Sequence, residues 1–232
     1  VAASDRKRGL LEAATWTDLE DAATEVLLLP LGATEQHGPH LPLGTDTEIA
    51  VALCETAALR FPEVLVGPAL AYGSSGEHAD FPGTLSIGAE ATELVLVELA
   101  RSASRTFERV IFVSAHGGNA VSLRRAVDLL RHEGRDVRSW SPRWGGDLHA
   151  GHVETSLMLA LDPESVRMAE AEAGNSAPIE SLLEDLVAHG VRSVAENGVL
   201  GDPTGASGQE GWEMLLEAVV QLSEEIAPRP RV

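Results

Sequence analysis

Apolar positions fall along this chain in two alternating patterns. Val26-Leu27-Leu28-Leu29-Pro30-Leu31 is unbroken and of strand length, which predicts a strand covered on both faces. Arg109-Val110-Ile111-Phe112-Val113 predicts a second, and 63–66 and 137–140 predict two shorter ones. The segments between them change period. Residues 47–59 and 90–104 read as helices, and Leu123, Ala126, Val127 and Leu130 stand at the i, i+3, i+4, i+7 spacing of one helix face. Strands and helices taking turns in this way predict an α/β fold, a mostly parallel sheet with helices on both faces.

Beyond His149 the pattern turns helical. Residues 154–161 and 179–189 read as helices, the second stopped by Gly190, and Trp212, Leu215, Leu216 and Val219 give a last helix its apolar face. Ahead of that helix, 196–211 reads as a long loop carrying Gly198, Gly201, Gly205 and Gly208, and loops of that length are often functional. The end of the chain, from Ala227 on, reads as a frayed tail.

Composition narrows the class. The 232 residues suit a single domain, 1–232, and a 44% hydrophobic share supplies a core in which aromatics, at 4%, play little part. A net charge of −19 repels phosphate backbones, which argues against nucleic acid as a partner. A single cysteine, Cys54, excludes an internal disulfide and reads as a buried thiol in the 47–59 helix. No run approaches the roughly 18 apolar residues of a membrane helix. Val-Ala-Ala-Ser-Asp-Arg-Lys-Arg at the start lacks the apolar stretch of a signal peptide, so a reducing cytoplasm is expected.

Histidines and carboxylates gather at the ends of the predicted strands. Glu35, His37, His40 and Asp46 follow the first strand in a loop shaped by Gly38, Pro39, Pro42 and Gly44. Glu35 and His37, two apart on extended chain, point the same way. Asp46 would serve equally as an N-cap for the helix that follows. Ser114-Ala115-His116-Gly117-Gly118-Asn119 follows the 109–113 strand. Its glycines let a ligand approach the backbone, and the next helix start offers N–H groups to an oxyanion, although a plain strand-to-helix turn would read the same. Asp147, His149, His152 and Glu154 form a third group, with Glu154 also placed where a helix start favours a carboxylate. Glu77 and His78 stand in a turn-rich fourth, where His78 could meet substrate or pair with a carboxylate. With no thiolate to compete, ligands of this kind predict a pair of divalent ions, Zn, Fe or Mn, bridged by Asp46.

These motifs resemble the creatininase (creatinine amidohydrolase) family. The likeness rests on Leu31-Gly-Ala-Thr-Glu-Gln-His-Gly-Pro-His-Leu-Pro-Leu-Gly-Thr-Asp46, Phe81-Pro-Gly-Thr84, Ala115-His-Gly-Gly-Asn119 and His149-Ala-Gly-His-Val-Glu-Thr-Ser156. They run in family order over nearly the whole chain. The resemblance implies a metal-dependent amidohydrolase of three-layer α/β/α fold that assembles as a homo-oligomer. It places Glu35 and His116 on one metal, His37 on the other, Asp46 between them, and His149 as the residue that moves protons. Creatininase proper has His-Phe-Glu-Asn where this chain has His116-Gly117-Gly118-Asn119, so one glutamate ligand is missing. Glu154 is the expected replacement, and creatinine is not the expected substrate. Within the family, the third motif and the acidic, alanine-rich character resemble the mycofactocin-system branch. That likeness implies a peptidase that trims a modified precursor peptide and releases its C-terminal Val-Tyr-derived unit.

The expected reaction is amide hydrolysis. The His116-Gly117-Gly118 backbone would steady the oxyanion, and His149, with Glu154 nearby, would protonate the leaving nitrogen. The Glu77-His78 loop and the 196–211 loop would shape the pocket. Two rivals differ observably. A small-molecule amidohydrolase, whether a formamide deformylase or a creatinine-type enzyme, would have a small closed pocket. A non-catalytic binding protein would have no need of Glu35, His37, Asp46 and His116 together. The 198–208 glycines make a weak case for a nucleotide, because no clear strand precedes them and no phosphate-cradling lysine accompanies them.

Overall fold

The computed structural model describes residues 9–21 and 25–227, so the expectations for the opening octapeptide and for the tail beyond Ala227 lie outside the described residues. Four strands among them form one sheet: β1 (Val26–Leu31), β2 (Val64–Val66), β3 (Arg109–Ser114) and β4 (Asp136–Trp140). Their order is β2-β1-β3-β4 and every neighbouring pair is parallel. The two long apolar runs take the two central places, in register from Val26 opposite Arg109 to Leu31 opposite Ser114.

Among the described residues seven α-helices accompany the strands: α1 (Trp16–Asp21), α2 (Thr45–Ala58), α3 (Gly88–Ala103), α4 (Ala120–His132), α5 (His152–Leu161), α6 (Ile179–His189) and α7 (Gly208–Ile226). Successive strand residues face opposite sides of the sheet. Val26, Leu28, Ile111 and Val113 pack against Leu53 of α2, Leu157 of α5 and Leu215 of α7. Leu27, Leu29, Val110 and Phe112 pack against Leu96 of α3 and Leu130 of α4. The result is the expected three-layer α/β/α architecture. Helix α6 stands apart over a small core of Leu182, Val191, Ala195 and Leu200. Cys54 is buried in α2, where burial pushes its thiol well up. No helix among the described residues is long and apolar enough to cross a membrane.

Most helix ends move by one or two residues from their predicted places, but α7 departs more. It begins at Gly208, inside the segment that reads as loop from sequence. Ser207 starts it: its Oγ accepts the Glu210 N–H at 3.3 Å and its hydroxyl donates to Glu210 Oε2 at 3.0 Å, a Ser-x-x-Glu cap. Gly208 and Gly211 are therefore helical, and they let α7 lie directly on α5. A Cβ on Gly211 would sit 1.9 Å from the Ser156 carbonyl oxygen. That close approach fixes which face turns inward. Leu215, Ala218, Val219, Leu222 and Ile226 are buried, whereas Trp212 and Leu216, expected on the apolar face, are each 48% exposed.

Candidate metal centre

Beyond the carboxyl ends of β1 and β3, Glu35, His37, Asp46 and His116 converge. The chain leaving β1 doubles back, with the Glu35 N–H donating to the Leu43 carbonyl at 3.0 Å, and this brings the first turn of α2 under the strand ends. His37 Nε2 lies 3.2 Å from Asp46 Oδ1 and 3.8 Å from Glu154 Oε2. His116 Nδ1 lies 3.3 Å from Asp46 Oδ2, and its Nε2 lies 3.2 Å from Glu35 Oε2. Asp46 thus stands between the two histidines with one oxygen toward each. It does not cap the helix, since Gly44 holds that position and no side chain caps α2.

The cluster fits a cation. Both oxygens of Glu35 and Oδ2 of Asp46 are buried without a hydrogen-bond partner. Buried carboxylate oxygens without donors are costly unless positive charge meets them. Three histidines are each anchored from behind by a backbone carbonyl. His37 Nδ1–H donates to the Glu35 carbonyl at 3.1 Å, His116 Nε2–H to that of Ser74 at 2.9 Å, and His149 Nε2–H to that of Gln36 at 2.8 Å. Each then turns its other nitrogen toward the carboxylates, as metal-binding histidines do. Among the described residues the ligand atoms fall into three overlapping sets, Glu35–Asp46–His116, His37–His149–Glu154 and Glu35–His78–His149, with the atoms of each set within 4.8 Å of one another. Oxygen and imidazole donors of this kind suit hard or borderline divalent ions.

Without a cation, protons supply the balancing charge. Burial works against a charged His37, but Asp46, then Glu154 and Glu35, raise it to about 10. Burial likewise opposes His116, and Glu35 and Asp46 raise it to about 10. Burial alone would raise Glu35, yet His116, followed by His78 and His37, holds its carboxyl far below the usual range. Glu154 is pushed up, by burial first and then by Asp46 and Glu35. Burial drives His149 well down, helped by the charges of His37 and His78. It brings His78 to about 4 despite Glu35.

The remaining predicted residues divide. Glu154 turns its Oε2 toward His37, and the same oxygen accepts the Ala150 N–H at 2.6 Å. Ala150 between them adopts φ 53°, the left-handed conformation, in a tight turn ahead of α5. His152 is a surface residue paired with Glu210 at 3.1 Å. His40 is buried away from the ligand sets, with its Nε2 2.9 Å from Thr155 Oγ1. His78 takes the carboxylate alternative, its Nε2 3.4 Å from Glu35 Oε1. At Gly118 there is no room for a side chain. A Cβ there would lie 2.2 Å from the Ser74 carbonyl oxygen, 2.4 Å from His116 Nε2 and 2.5 Å from Glu77 Oε1.

A cavity of about 260 Å³ opens beside the centre, lined by His116, Gly117, Trp144, Leu148, His149 and Glu154 among others. Neither the Glu77-His78 loop nor the 196–211 loop lines it, contrary to expectation. The latter props the centre from behind instead. Its Gly198 carbonyl accepts from Gln36 Nε2 at 3.1 Å, and Leu200 pairs with the His149 backbone. Trp144 was not evident from the sequence, where the only signal is a tryptophan in an otherwise polar connection.

The family profile for creatinine amidohydrolase matches residues 12–226. The chain belongs to the creatininase family. Among its relatives, a mycofactocin precursor peptide peptidase of Mycobacterium tuberculosis is 47% identical over 236 residues, which is 96% of this chain and 93% of that protein. A crystal structure of creatinine amidohydrolase (creatininase) aligns with a TM-score of 0.82 at 26% identity, covering 95% of this chain and 97% of that one. A mutant creatininase described as a zinc–zinc type aligns with a TM-score of 0.80 at 26% identity, covering 94% and 96%. In this creatininase-family chain, the residues gathered at the strand ends come from all the motifs that carry the resemblance except Phe81–Thr84.

Proposed function

We propose that the chain is a metal-dependent amide hydrolase acting on a peptide, the modified precursor from which mycofactocin biosynthesis releases a C-terminal Val-Tyr-derived unit. The observation that carries the hydrolase reading is Asp46, one oxygen toward each of two carbonyl-anchored histidines, beside donorless buried oxygens of Glu35. The peptide reading rests on 47% identity to a precursor peptide peptidase, against 32% to a creatinine amidohydrolase. Glu35, Asp46 and His116 would hold one divalent ion, and His37, Asp46 and Glu154 a second. Bound there, a pair of zinc, iron or manganese ions would acidify a water and polarise the scissile carbonyl.

The chain's own groups supply the rest. Trp144 and Leu148 give the cavity an apolar wall for the substrate's terminal side chains. Gly117 exposes its backbone on the same cavity, where a developing oxyanion can be met. His149 and Glu154 flank the reacting position and carry protons between nucleophile and leaving nitrogen. The proposal extends to one domain over 1–232, a cytoplasmic location and homo-oligomeric assembly. The exposed Trp212, Leu216 and Val220 on α7 support the last of these, and light scattering decides it.

The test pairs metal analysis with cleavage of peptides bearing the candidate C-terminus. Metal with peptide cleavage is expected, and Asp46→Ala should lose both. Metal with deformylation or creatinine turnover, and no cleavage, would replace the peptidase by a small-molecule amidohydrolase. Binding without any turnover would leave a non-catalytic protein. Full metal and full activity in Asp46→Ala would end the two-metal reading.

A further inference from the structure

Gln36 lies between two residues of the centre yet points away from it, into a buried knot with His78 and His149. Its amide can be oriented in only one way. Gly38 N–H donates to Oε1 at 2.8 Å, so that atom is the oxygen, and Nε2 lies 3.1 Å from the Gly198 carbonyl, which only a donor can satisfy. The opposite orientation would set two donors against each other at Gly38 and two acceptors at Gly198. Gly198 is suited to this approach, with φ +77° and the place of a Cβ only 2.0 Å from Gln36 Oε1.

The amide N–H that remains is 2.8 Å from His78 Nδ1 and 3.1 Å from His149 Nε2, and it goes to His78, because His149 Nε2 must itself donate to the Gln36 carbonyl. His78 Nδ1 must then be bare, and the ring's proton sits on Nε2, the atom 3.4 Å from Glu35 Oε1. His149 Nε2 lies 2.8 Å from the Gln36 carbonyl, an acceptor only, so Nε2 carries the proton there too. That leaves His149 Nδ1 bare, 3.8 Å from the same Glu35 oxygen. The two rings share a tautomer but are turned oppositely.

We propose that Gln36 is a positioning residue that makes His149 present a lone pair to the centre and His78 present an N–H to Glu35. Two consequences follow. His78 turns a proton rather than a lone pair toward Glu35 Oε1, 3.4 Å away, and is not a ligand, so the Glu35–His78–His149 set cannot hold a cation, although its atoms are close enough. His149 begins the cycle as an acceptor, and gives up a proton at Nδ1 only after taking one.

The second consequence rests on the hydrolase reading, whereas the tautomers themselves do not. The test is therefore nitrogen-15 NMR of the zinc-loaded, histidine-labelled protein, with His78→Gln and His149→Gln spectra assigning the signals. Protonated Nε2 and bare Nδ1 are expected in both rings. A protonated Nδ1 in either overturns the proposal. Gln36→Glu, which has no N–H to give, should move the His78 proton to Nδ1. Gln36→Met should release that constraint, and both variants should lose about 10–100-fold in kcat with little change in KM. Wild-type spectra and kcat in Gln36→Met would equally overturn it. If the tautomers are as stated but no amide is cleaved, the hydrolase reading fails and the role of Gln36 stands.

Discussion

At the scale of single residues, Gly118 governs how the centre can be built. The family's glutamate is absent there, and so is the space for it, since Glu77 and the carbonyl that anchors His116 occupy the position a side chain would need. Gly118→Ala should therefore do more than trim a surface. Displacing the Ser74 carbonyl costs about 1–3 kcal/mol of stability and loosens His116. A lower melting temperature together with a lower metal content is expected, and a variant unchanged in both would show that the loop yields freely. Glu154→Gln tests the proposed substitute ligand, because the amide oxygen can still accept from Ala150 while the charge beside His37 is gone. Metal analysis should show one of two sites weakened, and unchanged stoichiometry would remove Glu154 from the ligand set. Glu35, His37, Asp46 and His116 were legible in the sequence because their chemistry resides in the side-chain type and in its place after a strand. Gln36 and the Ser74 carbonyl were not. An amide and a backbone oxygen have no distinctive chemistry of their own, and their roles arise from contacts with His78, Gly198 and His116, far away along the chain.

At the scale of elements, the crossing of α5 and α7 links the fold to the centre. Helix α5 begins at the His149–Glu154 turn, and α7 presses on it where Gly208 and Gly211 bring backbone against the Leu159 and Ser156 carbonyls. Gly211→Val would force the helices apart and shift the helix that carries Glu154. Overpacking at such a contact costs about 1–3 kcal/mol and occasionally more. A lower melting temperature with impaired metal binding is the expected result. Melting at the wild-type temperature would mean that α7 slides without consequence. The sheet was readable because a strand covered on both faces must be apolar throughout, as β1 and β3 are. The start of α7 was marked by Ser207 and Glu210, a capping signal that the surrounding glycines obscured. Its buried face was misread for a different reason. Trp212, Leu215, Leu216 and Val219 satisfy helical spacing, but which side faces inward is decided by the glycine contact, and spacing along the chain does not encode that.

At the scale of the whole molecule, the centre makes stability depend on pH and on metal together. In the metal-free protein His37 and His116 titrate at about 10, above the 6.5 of an ordinary histidine. Groups raised in this way stabilise the fold fully below about pH 6.5, and that contribution is lost as pH climbs toward 10. His40 and His78 are lowered to about 4, so between 6.5 and 4 the unfolded chain takes up their protons first and stability falls again. Glu35, held far below its usual range, adds to the loss in acid. The chelated protein should accordingly melt highest near neutrality and lower on either side. Metal reverses the alkaline arm, because the ion takes the place of the protons on His37 and His116 and binds more readily as they leave. Thermal melts with chelator and with excess zinc, run from pH 6.5 to 9, should diverge steadily, the zinc-loaded form gaining on the chelated one at each step. Parallel curves would mean that His37 and His116 are already neutral in the empty centre, and that the buried oxygens of Glu35 and Asp46 are balanced some other way.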